Sequence, residues 1–404
     1  MIDYLIIGGG IAGTAAAEAI RSKDGQGSIV IADSEPHFLY SRVLLPEFIK
    51  GDVGIDKVML RSELDYLKNR IELILGEKVA ALDLSGRYAE LASGEKLEFK
   101  KLLVASGGEP EAWSFEKEAP ESIFRLQTLD DAKRMLAFLE EKNFGEALVV
   151  GGGFIALEFL EILAKKKYKT AVLCREKSLW CGALDPECMD FIKSVWAGHG
   201  ITFIAEDEAV AVKKENGRVL VCTAKGLKLK TDFVGAGIGI RRNLDFLPHL
   251  VVGPLSRGVK VNEHLETAFP GVWAAGDAAY YPDLITGKKR LCRTWSEAFM
   301  QGRIAGLNMA GGKEIFKMIP AYSIGHLGQV ITFIGDIFST GGLFDSGGSD
   351  LTALPKKKEG EYVRISEEDG IIKGAVMINA QAQTGRMSKA ILNRETVEEY
   401  LRKS

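Results

Sequence analysis

The chain has 404 residues, of which 46% are hydrophobic and 26% charged, and its net charge is −3. That length holds two or three domains with cores of their own, and the near-neutral charge excludes bulk attraction to nucleic acid or to an anionic membrane. No run approaches the roughly 20 apolar residues of a membrane-spanning helix, and Met1 leads straight into a strand-like stretch that leaves no room for a signal peptide, so a cytoplasmic protein is expected. The five cysteines, Cys174, Cys181, Cys188, Cys222 and Cys292, form no C-x-x-C pair, so zinc and iron–sulfur spacings are absent and no metal is expected.

In chain order, Asp3–Gly10 reads as a short apolar strand ending in glycines, Ile11–Arg21 as an Ala-rich helix, and Ser28–Asp33 as a second strand ending on an acid. This is a βαβ unit. Leu102–Gly108 (LLVASGG) reads as a buried strand that ends in small residues. A second βαβ unit runs from Ala147 to Glu176. Asp232–Gly239 (DFVGAGIG) and Gly271–Asp277 (GVWAAGD) read as further strands, the second delivering an acid at its tip. Beyond Pro320 the pattern changes. Val330–Ile337, Glu361–Ile365 and Gly370–Ile378 read as a strand meander, and Arg386–Lys403 as a closing helix.

Both βαβ units carry a glycine-rich loop between strand and helix. In the first, Gly8-x-Gly10-x-x-Gly13 supplies a tight turn, an open approach for a pyrophosphate, and close packing of helix on strand. The helix N-terminus offers free N–H groups and a positive dipole to phosphates. An acid about 20 residues on holds a ribose hydroxyl in such units. Asp33 lies 20 positions after Gly13, and Glu35 follows it closely. In the second loop Gly151 and Gly153 are followed by Ala156, an accepted third residue. Ungapped counting carries Asp33 onto Glu176. Its neighbour Arg175 leaves the choice between NAD and NADP open, since a carboxylate favours the ribose hydroxyl and an arginine accommodates a 2′-phosphate. Two such sites point to one retained redox cofactor and one exchanging partner, a pairing that a flavin and a nicotinamide satisfy.

Taken together, GGGIAG, YSRVLLPEF, LLVASGG, RLQTLDDA, GGGFIALE, AGIGIRRN and VWAAGDAA resemble, in order, the FAD-dependent pyridine nucleotide oxidoreductases of the glutathione-reductase structural class. Within them the chain is most similar to the NAD(P)H-dependent rubredoxin and ferredoxin reductases and to the flavin domain of assimilatory nitrite reductase. The resemblance implies an α/β fold with two Rossmann-like dinucleotide-binding domains and a small α+β C-terminal interface domain. It sets the FAD domain at 1–112 and 244–318, the NAD(P) domain at 113–243 and the interface domain at 319–404.

The same resemblance assigns residues. Gly8, Gly10, Ala12, Gly13, Asp33 and Glu35 would hold the ADP part of FAD. Arg42, Val79, Ala105, Ser106, Gly107, Gly276, Asp277 and Trp295 would complete the flavin site, with Asp277 on the ribityl chain and Trp295 beside the ring. Gly151, Gly153, Phe154, Ile155, Arg175 and Glu176 would hold NAD(H) or NADP(H). Glu158 and Gly239 would lie at the nicotinamide and orient it. Three departures stand out. No cysteine precedes Cys174, so a dithiol mechanism is not expected. Where many relatives place a lysine that pairs with the helix glutamate, this chain has Glu47. Gln127 stands where relatives often carry arginine, and Arg125, on the same strand face, is the expected substitute.

The implied activity is hydride transfer between nicotinamide and flavin N5, followed by electron transfer to or from a small carrier such as rubredoxin or ferredoxin, or an iron–sulfur partner protein. A peroxide-forming oxidase and a flavin-containing interaction subunit of a larger redox complex are the alternatives. Lys288-Lys289-Arg290 with Arg293, and Lys356–Lys358, are basic clusters that suit an acidic carrier or, more simply, solvent. A homodimer through the interface domain is compatible with the resemblance.

Overall fold

The computed structural model describes residues 1–142, 145–182, 184–248, 258–337, 350–353 and 360–402. The chain forms two compact units. The first comprises Met1–Ser41, Met59–Glu109 and Arg241–Pro320; the second comprises Arg42–Val58, Pro110–Ile240 and Ala321–Ser404. The segment Arg42–Val58 therefore leaves its sequence neighbours and joins the second unit.

The first unit is built on a seven-stranded sheet. Its order is Ile71–Leu75, Ile29–Asp33, Ile2–Ile7, Lys96–Val104, Tyr88–Leu91 and Val79–Asp83, and Val272–Ala274 also pairs with Lys96–Val104. Lys96–Val104 shows why sequence sets position. Its first half alternates exposed and buried residues and pairs antiparallel with Tyr88–Leu91; its last three residues, Leu102-Leu103-Val104, are wholly buried between parallel neighbours. Alternation suits a half-solvated antiparallel ribbon, and a continuous apolar run suits a parallel strand covered on both faces. The expected strand at Leu102 is thus the buried end of a longer one.

Two helices of this unit meet unusually closely. Along the helix Trp295–Met309, Gly302 and Gly306 face the Ala-rich helix Ile11–Lys23. A Cβ on Gly302 would come within 2.0 Å of the Ala12 carbonyl oxygen, and one on Gly306 within 2.3 Å of that of Ala16. Glycine is required at both positions because backbone lies where a side chain would begin.

The second unit repeats the plan. Its five-stranded parallel sheet runs Ile201–Ala205, Lys169–Cys174, Glu146–Val150, Phe233–Ala236 and Ile123–Phe124. A three-stranded antiparallel ribbon, Ala209–Glu215, Arg218–Thr223 and Lys228–Thr231, accompanies it, as the ribbon at Val79–Val104 does in the first unit. This unit also holds the C-terminal antiparallel sheet: Ala321–His326, Gln329–Gly335, Ile371–Ile378, Tyr362–Glu368 and Asp350–Ala353. The expected single closing helix is two, Thr384–Leu392 and Val397–Arg402. The break has a local cause. Arg394 turns left-handed at φ 56°. Thr396 and Glu399 then cap each other's backbone N–H groups to start the last helix. Among the described residues no helix is long and apolar enough to cross a membrane.

Candidate functional site

The first glycine loop is a cradle. Gly8 is left-handed at φ +108°, and a Cβ there would meet the Ala105 carbonyl oxygen at 2.2 Å; one on Gly13 would meet the Gly8 carbonyl oxygen at 1.9 Å. Gly10 has nothing within 4 Å of its Cβ position, so the backbone is open to an incoming group there. The helix that follows has no side-chain cap and no acidic residue in its first turn, so its first-turn N–H groups can donate to an anion. Ala12 is buried in that turn. Asp33 fixes the loop: its Oδ2 accepts the Gly9 N–H at 2.7 Å and its Oδ1 the Glu35 N–H at 3.1 Å. Glu35 in turn accepts from the Tyr40 hydroxyl at 2.6 Å. Open backbone, bare helix N-terminus and strand-end acids fit the phosphates and ribose of a dinucleotide.

Around this cradle the first unit gathers the other expected residues. Ala105, Ser106 and Gly107 end the long strand. The Ala105 N–H bonds to the Ile7 carbonyl at 2.8 Å, the Ser106 hydroxyl to the Asn243 carbonyl at 2.8 Å, and Gly107 turns left-handed at φ +62°. Gly276-Asp277 forms a tight 3-10 turn after Val272–Ala274, with Gly276 at φ +68°. Arg242 Nε donates to the Asp277 carbonyl at 3.0 Å. Trp295 opens the helix capped by Thr294 and is half-buried. Val79, at 4% exposure, begins a ribbon strand and packs in the hydrophobic core.

Sequence reasoning passed over a buried polar row on that same helix. Gln301, with no exposed surface, accepts the Gly276 N–H at 2.9 Å. Glu297, also fully buried, accepts from the Tyr281 hydroxyl at 2.8 Å and lies 3.6 Å from Arg290, which pairs with Asp283 at 3.2 Å. Burial holds the Tyr281 hydroxyl well above its ordinary range, with Glu297 adding to the effect. Arg290 is therefore no member of a solvated basic patch; it is drawn inward by two carboxylates. Lys356–Lys358 lie outside the described residues. The string TWSEAFMQGRIAG carried the signal, a helix with polar residues at three- and four-residue spacing beside two glycines.

In the second unit the loop geometry recurs. Gly151 is left-handed at φ +119°, a Cβ there would meet the Gly237 carbonyl oxygen at 2.2 Å, and Gly153 is open. Ala156 is buried behind it. The hydrogen-bond register corrects the ungapped count. The Gly8 N–H bonds to the Ala32 carbonyl and the Gly151 N–H to that of Leu173. Asp33 therefore corresponds to Cys174, and Glu176 corresponds to Glu35. Backbone bonds agree: Glu77 and Gly76 donate to Asp33 and Glu35, as Asp207 and Glu206 donate to Cys174 and Glu176. The connection between helix and strand is shorter here, 166–168 against 24–28. Cys174 Sγ lies 2.8 Å from the Cβ position of Gly152, and its thiol donates to Glu176 Oε2 at 3.3 Å. Glu176 is half-buried; Arg175 is exposed.

The helix Phe154–Lys165 sends one stripe toward other elements of its unit. The Phe154 ring packs edge-on against Tyr322 and Phe333, with ring centres 4.8 and 5.0 Å away, and Ile155 is half-buried beside it. Glu161 accepts the Leu327 N–H and lies 3.9 Å from His326. Trp196 donates its indole N–H to His326 Nε2 at 2.6 Å. Lys165 meets Asp52 at 3.0 Å. Between Phe154 and Glu161 stands Glu158, with no hydrogen-bond or ion-pair partner among the described residues. Its carboxyl keeps an edge open to solvent but is crowded by protein; burial, with the Glu47 carboxylate adding to it, pushes it up to about 8. Gly239 is left-handed at φ +127°, and its carbonyl accepts the Glu111 N–H at 3.0 Å.

Two of the expected flavin-side basic groups fall in this second unit. Arg42 donates to the Gln127 carbonyl. Arg125 does not share a strand face with Gln127, because the strand is only Ile123–Phe124; its guanidinium lies 3.3 Å from Glu116 and donates to the Pro110 carbonyl at 3.2 Å.

Two Rossmann-like units, each with a glycine cradle and a strand-end acid, define a two-nucleotide oxidoreductase. The chain belongs to the family described as pyridine nucleotide-disulphide oxidoreductase, whose pattern matches residues 2–302. It is an enzyme that works with a flavin and a nicotinamide nucleotide. It is 26% identical over 388 residues to the NADH-rubredoxin oxidoreductase of Clostridium acetobutylicum, covering 96% of this chain and 93% of that one. It is 27% identical over 336 residues to apoptosis-inducing factor 3 of Mus musculus, covering 82% of this chain but only 55% of that protein's length. In fold it matches the reductase of the covalent putidaredoxin reductase–putidaredoxin complex, with a TM-score of 0.89 at 20% identity, over 99% of this chain and 95% of that one.

Proposed function

We propose that the protein is an FAD-dependent NADH oxidoreductase that passes electrons to a small protein carrier of the rubredoxin or ferredoxin kind. The observation that carries the nucleotide preference is the strand end at Cys174–Glu176. Glu176 takes the place that Glu35 has in the first unit, half-buried and held by the Cys174 thiol, while Arg175 turns to solvent. A fixed carboxylate accepts from a ribose 2′-hydroxyl and repels a 2′-phosphate. A mobile arginine in water gives the phosphate little in return.

When bound, the flavin supplies hydride acceptance from a nicotinamide and release of electrons one at a time. The chain's own residues bind and orient. The open backbone at Gly10 and at Gly153, with the bare helix ends behind them, would hold the two pyrophosphates. Asp33 keeps the first loop in shape through Gly9. Gln301 keeps the Gly276-Asp277 turn in place, and Asp277 would hold the ribityl chain. Such preorganisation is the main contribution asked of a protein in hydride transfer.

The carrier follows from what the chain lacks and what it resembles. No cysteine precedes Cys174, so no dithiol stands in the segment where disulfide-reducing relatives carry one. The similar Clostridium protein is named for rubredoxin. The test is anaerobic steady-state turnover with NADH and purified rubredoxin or ferredoxin. Carrier reduction at least tenfold faster than oxygen consumption in a parallel aerobic assay supports the reading. Oxygen consumption that matches or exceeds it sinks the carrier role.

A further inference from the structure

The helix Leu45–Lys50 holds Lys50 one turn beyond Glu47, and the pairing it makes is displaced by the same step. Lys50 Nζ lies 2.9 Å from Glu47, 3.8 Å from Asp52 and 3.8 Å from Glu161. Glu161 is one turn beyond Glu158 on the helix Phe154–Lys165. The cation of this cluster thus serves Glu161, and Glu158 is left facing a carboxylate. We propose that Glu47 and Lys50 are positioning residues that set the charge of Glu158, so that this side chain is neutral in the free protein at neutral pH and ionises when a cationic nicotinamide ring is bound.

The argument rests first on arrangement. Every other charged group of the cluster is committed. Lys50 has a side chain only 11% exposed; burial works against its charge, but Glu47, Glu161 and Asp52 together hold it protonated. Lys165 is occupied by Asp52. Glu161 is occupied by the Leu327 N–H and faces His326, which burial keeps neutral. From the strand Ala321–His326, Tyr322 faces Glu158, and burial followed by the Glu158 charge raises its hydroxyl, so it brings no positive charge. Glu158 alone has no partner and an open edge, five positions past Gly153 at the mouth of the second glycine loop. A carboxyl in that situation keeps its proton, and the upward push to about 8 agrees with the geometry.

The consequence separates the two forms of the nucleotide. Oxidised nicotinamide is a cation and gains from an ionised Glu158; reduced nicotinamide is neutral and does not. By linkage, binding of NAD⁺ below the ionisation range releases a proton, and affinity rises as pH rises. This rests on the second loop being the nicotinamide nucleotide site.

Isothermal titration calorimetry of the oxidised holoprotein tests it, with NAD⁺ and with ADP-ribose, which has the same phosphates and riboses but no ring. The NAD⁺ affinity should rise roughly tenfold between pH 7 and pH 9, as the ionised fraction does around a midpoint near 8, while ADP-ribose binding stays flat. Glu158→Gln should abolish the rise. Glu47→Gln should move its midpoint down, and Lys50→Met should move it up. A purely structural loss would not shift the midpoint in opposite directions, and Glu47→Gln keeps the side chain's shape should the lysine variant fold poorly. A flat NAD⁺ profile in the wild type, a rise that survives in Glu158→Gln, or an unmoved midpoint in Glu47→Gln overturns the proposal while leaving the nucleotide site intact. Failure of both NAD⁺ and ADP-ribose to bind overturns the site and the proposal together.

Discussion

Cys174 occupies in the second unit the place that Asp33 occupies in the first. Each directly follows the residue whose carbonyl accepts the N–H of the loop's leading glycine, yet Asp33 bonds to the Gly9 N–H at 2.7 Å while Cys174 turns its thiol to Glu176. One loop is therefore pinned by a charge and the other is not. A pinned loop suits a retained cofactor. Asp33→Ala removes the acceptor of two backbone N–H groups. Hydrogen bonds to a charged group contribute about 1.5–3 kcal/mol each, so the dissociation constant for FAD should rise at least tenfold. Fluorescence of released flavin on dilution measures it, and a variant that stays fully yellow contradicts the role.

Gly302 is expected to tolerate no side chain. A Cβ would sit 2.0 Å from the Ala12 carbonyl oxygen, and that backbone belongs to the first turn behind the glycine cradle. Overpacking of this kind costs about 1–3 kcal/mol. Gly302→Ala should lower the melting temperature of the apoprotein and weaken FAD retention, because the helix N-terminus must shift. Gly385→Ala, in a helix with nothing within 4 Å of the added Cβ, is the control that should lower neither.

Glu297 is expected to be a large contributor to stability. Removing one member of a buried ion pair costs about 3–5 kcal/mol because the remaining charge is left uncompensated. Here Arg290 keeps Asp283 at 3.2 Å, so Glu297→Ala should fall at the lower end of that range. Chemical denaturation reads it. A loss below the experimental error would mean that the Tyr281 and Arg290 contacts are incidental.

His326 gives a pH dependence. Burial, with His199 adding to it, lowers this imidazole to about 3, below its unfolded value of 6.5. The folded protein keeps the ring neutral while the unfolded chain takes up a proton. The stability contribution is therefore complete above about pH 6.5 and is lost as pH falls toward about 3, with a slope of at most about 1.4 kcal/mol per pH unit. His326→Gln keeps an acceptor for the Trp196 indole N–H and removes the titration. Its stability should be flatter than wild type between pH 6.5 and pH 4. Parallel profiles would show that the ring titrates normally.

Much of this architecture was legible in the order of residues. The glycine loops, their strands and helices, and the late meander announce themselves because backbone geometry demands glycine where no Cβ fits, as at Gly8 and Gly151. The register between the two units was not legible. Its difference lies in the connection between helix and strand, 24–28 against 166–168, where length is free to vary. Counting therefore carried Asp33 to Glu176 when hydrogen bonding carries it to Cys174. Glu297 and Gln301 on the helix Trp295–Met309 drew no expectation from the sequence, and tertiary packing shows them buried. The displaced Lys50–Glu161 pairing was hidden for the same reason, since its members lie 111 positions apart. The break before the last helix was written in Thr396 and Glu399, a capping pair within one turn.

The most direct measurement is an anaerobic titration of the purified yellow protein with NADH and, separately, with NADPH, following the flavin absorbance band. Stoichiometric bleaching by NADH at a rate at least tenfold above that with NADPH is the predicted result. Bleaching by NADPH at an equal or greater rate would contradict the role given to Glu176, and no bleaching by either would contradict hydride transfer itself.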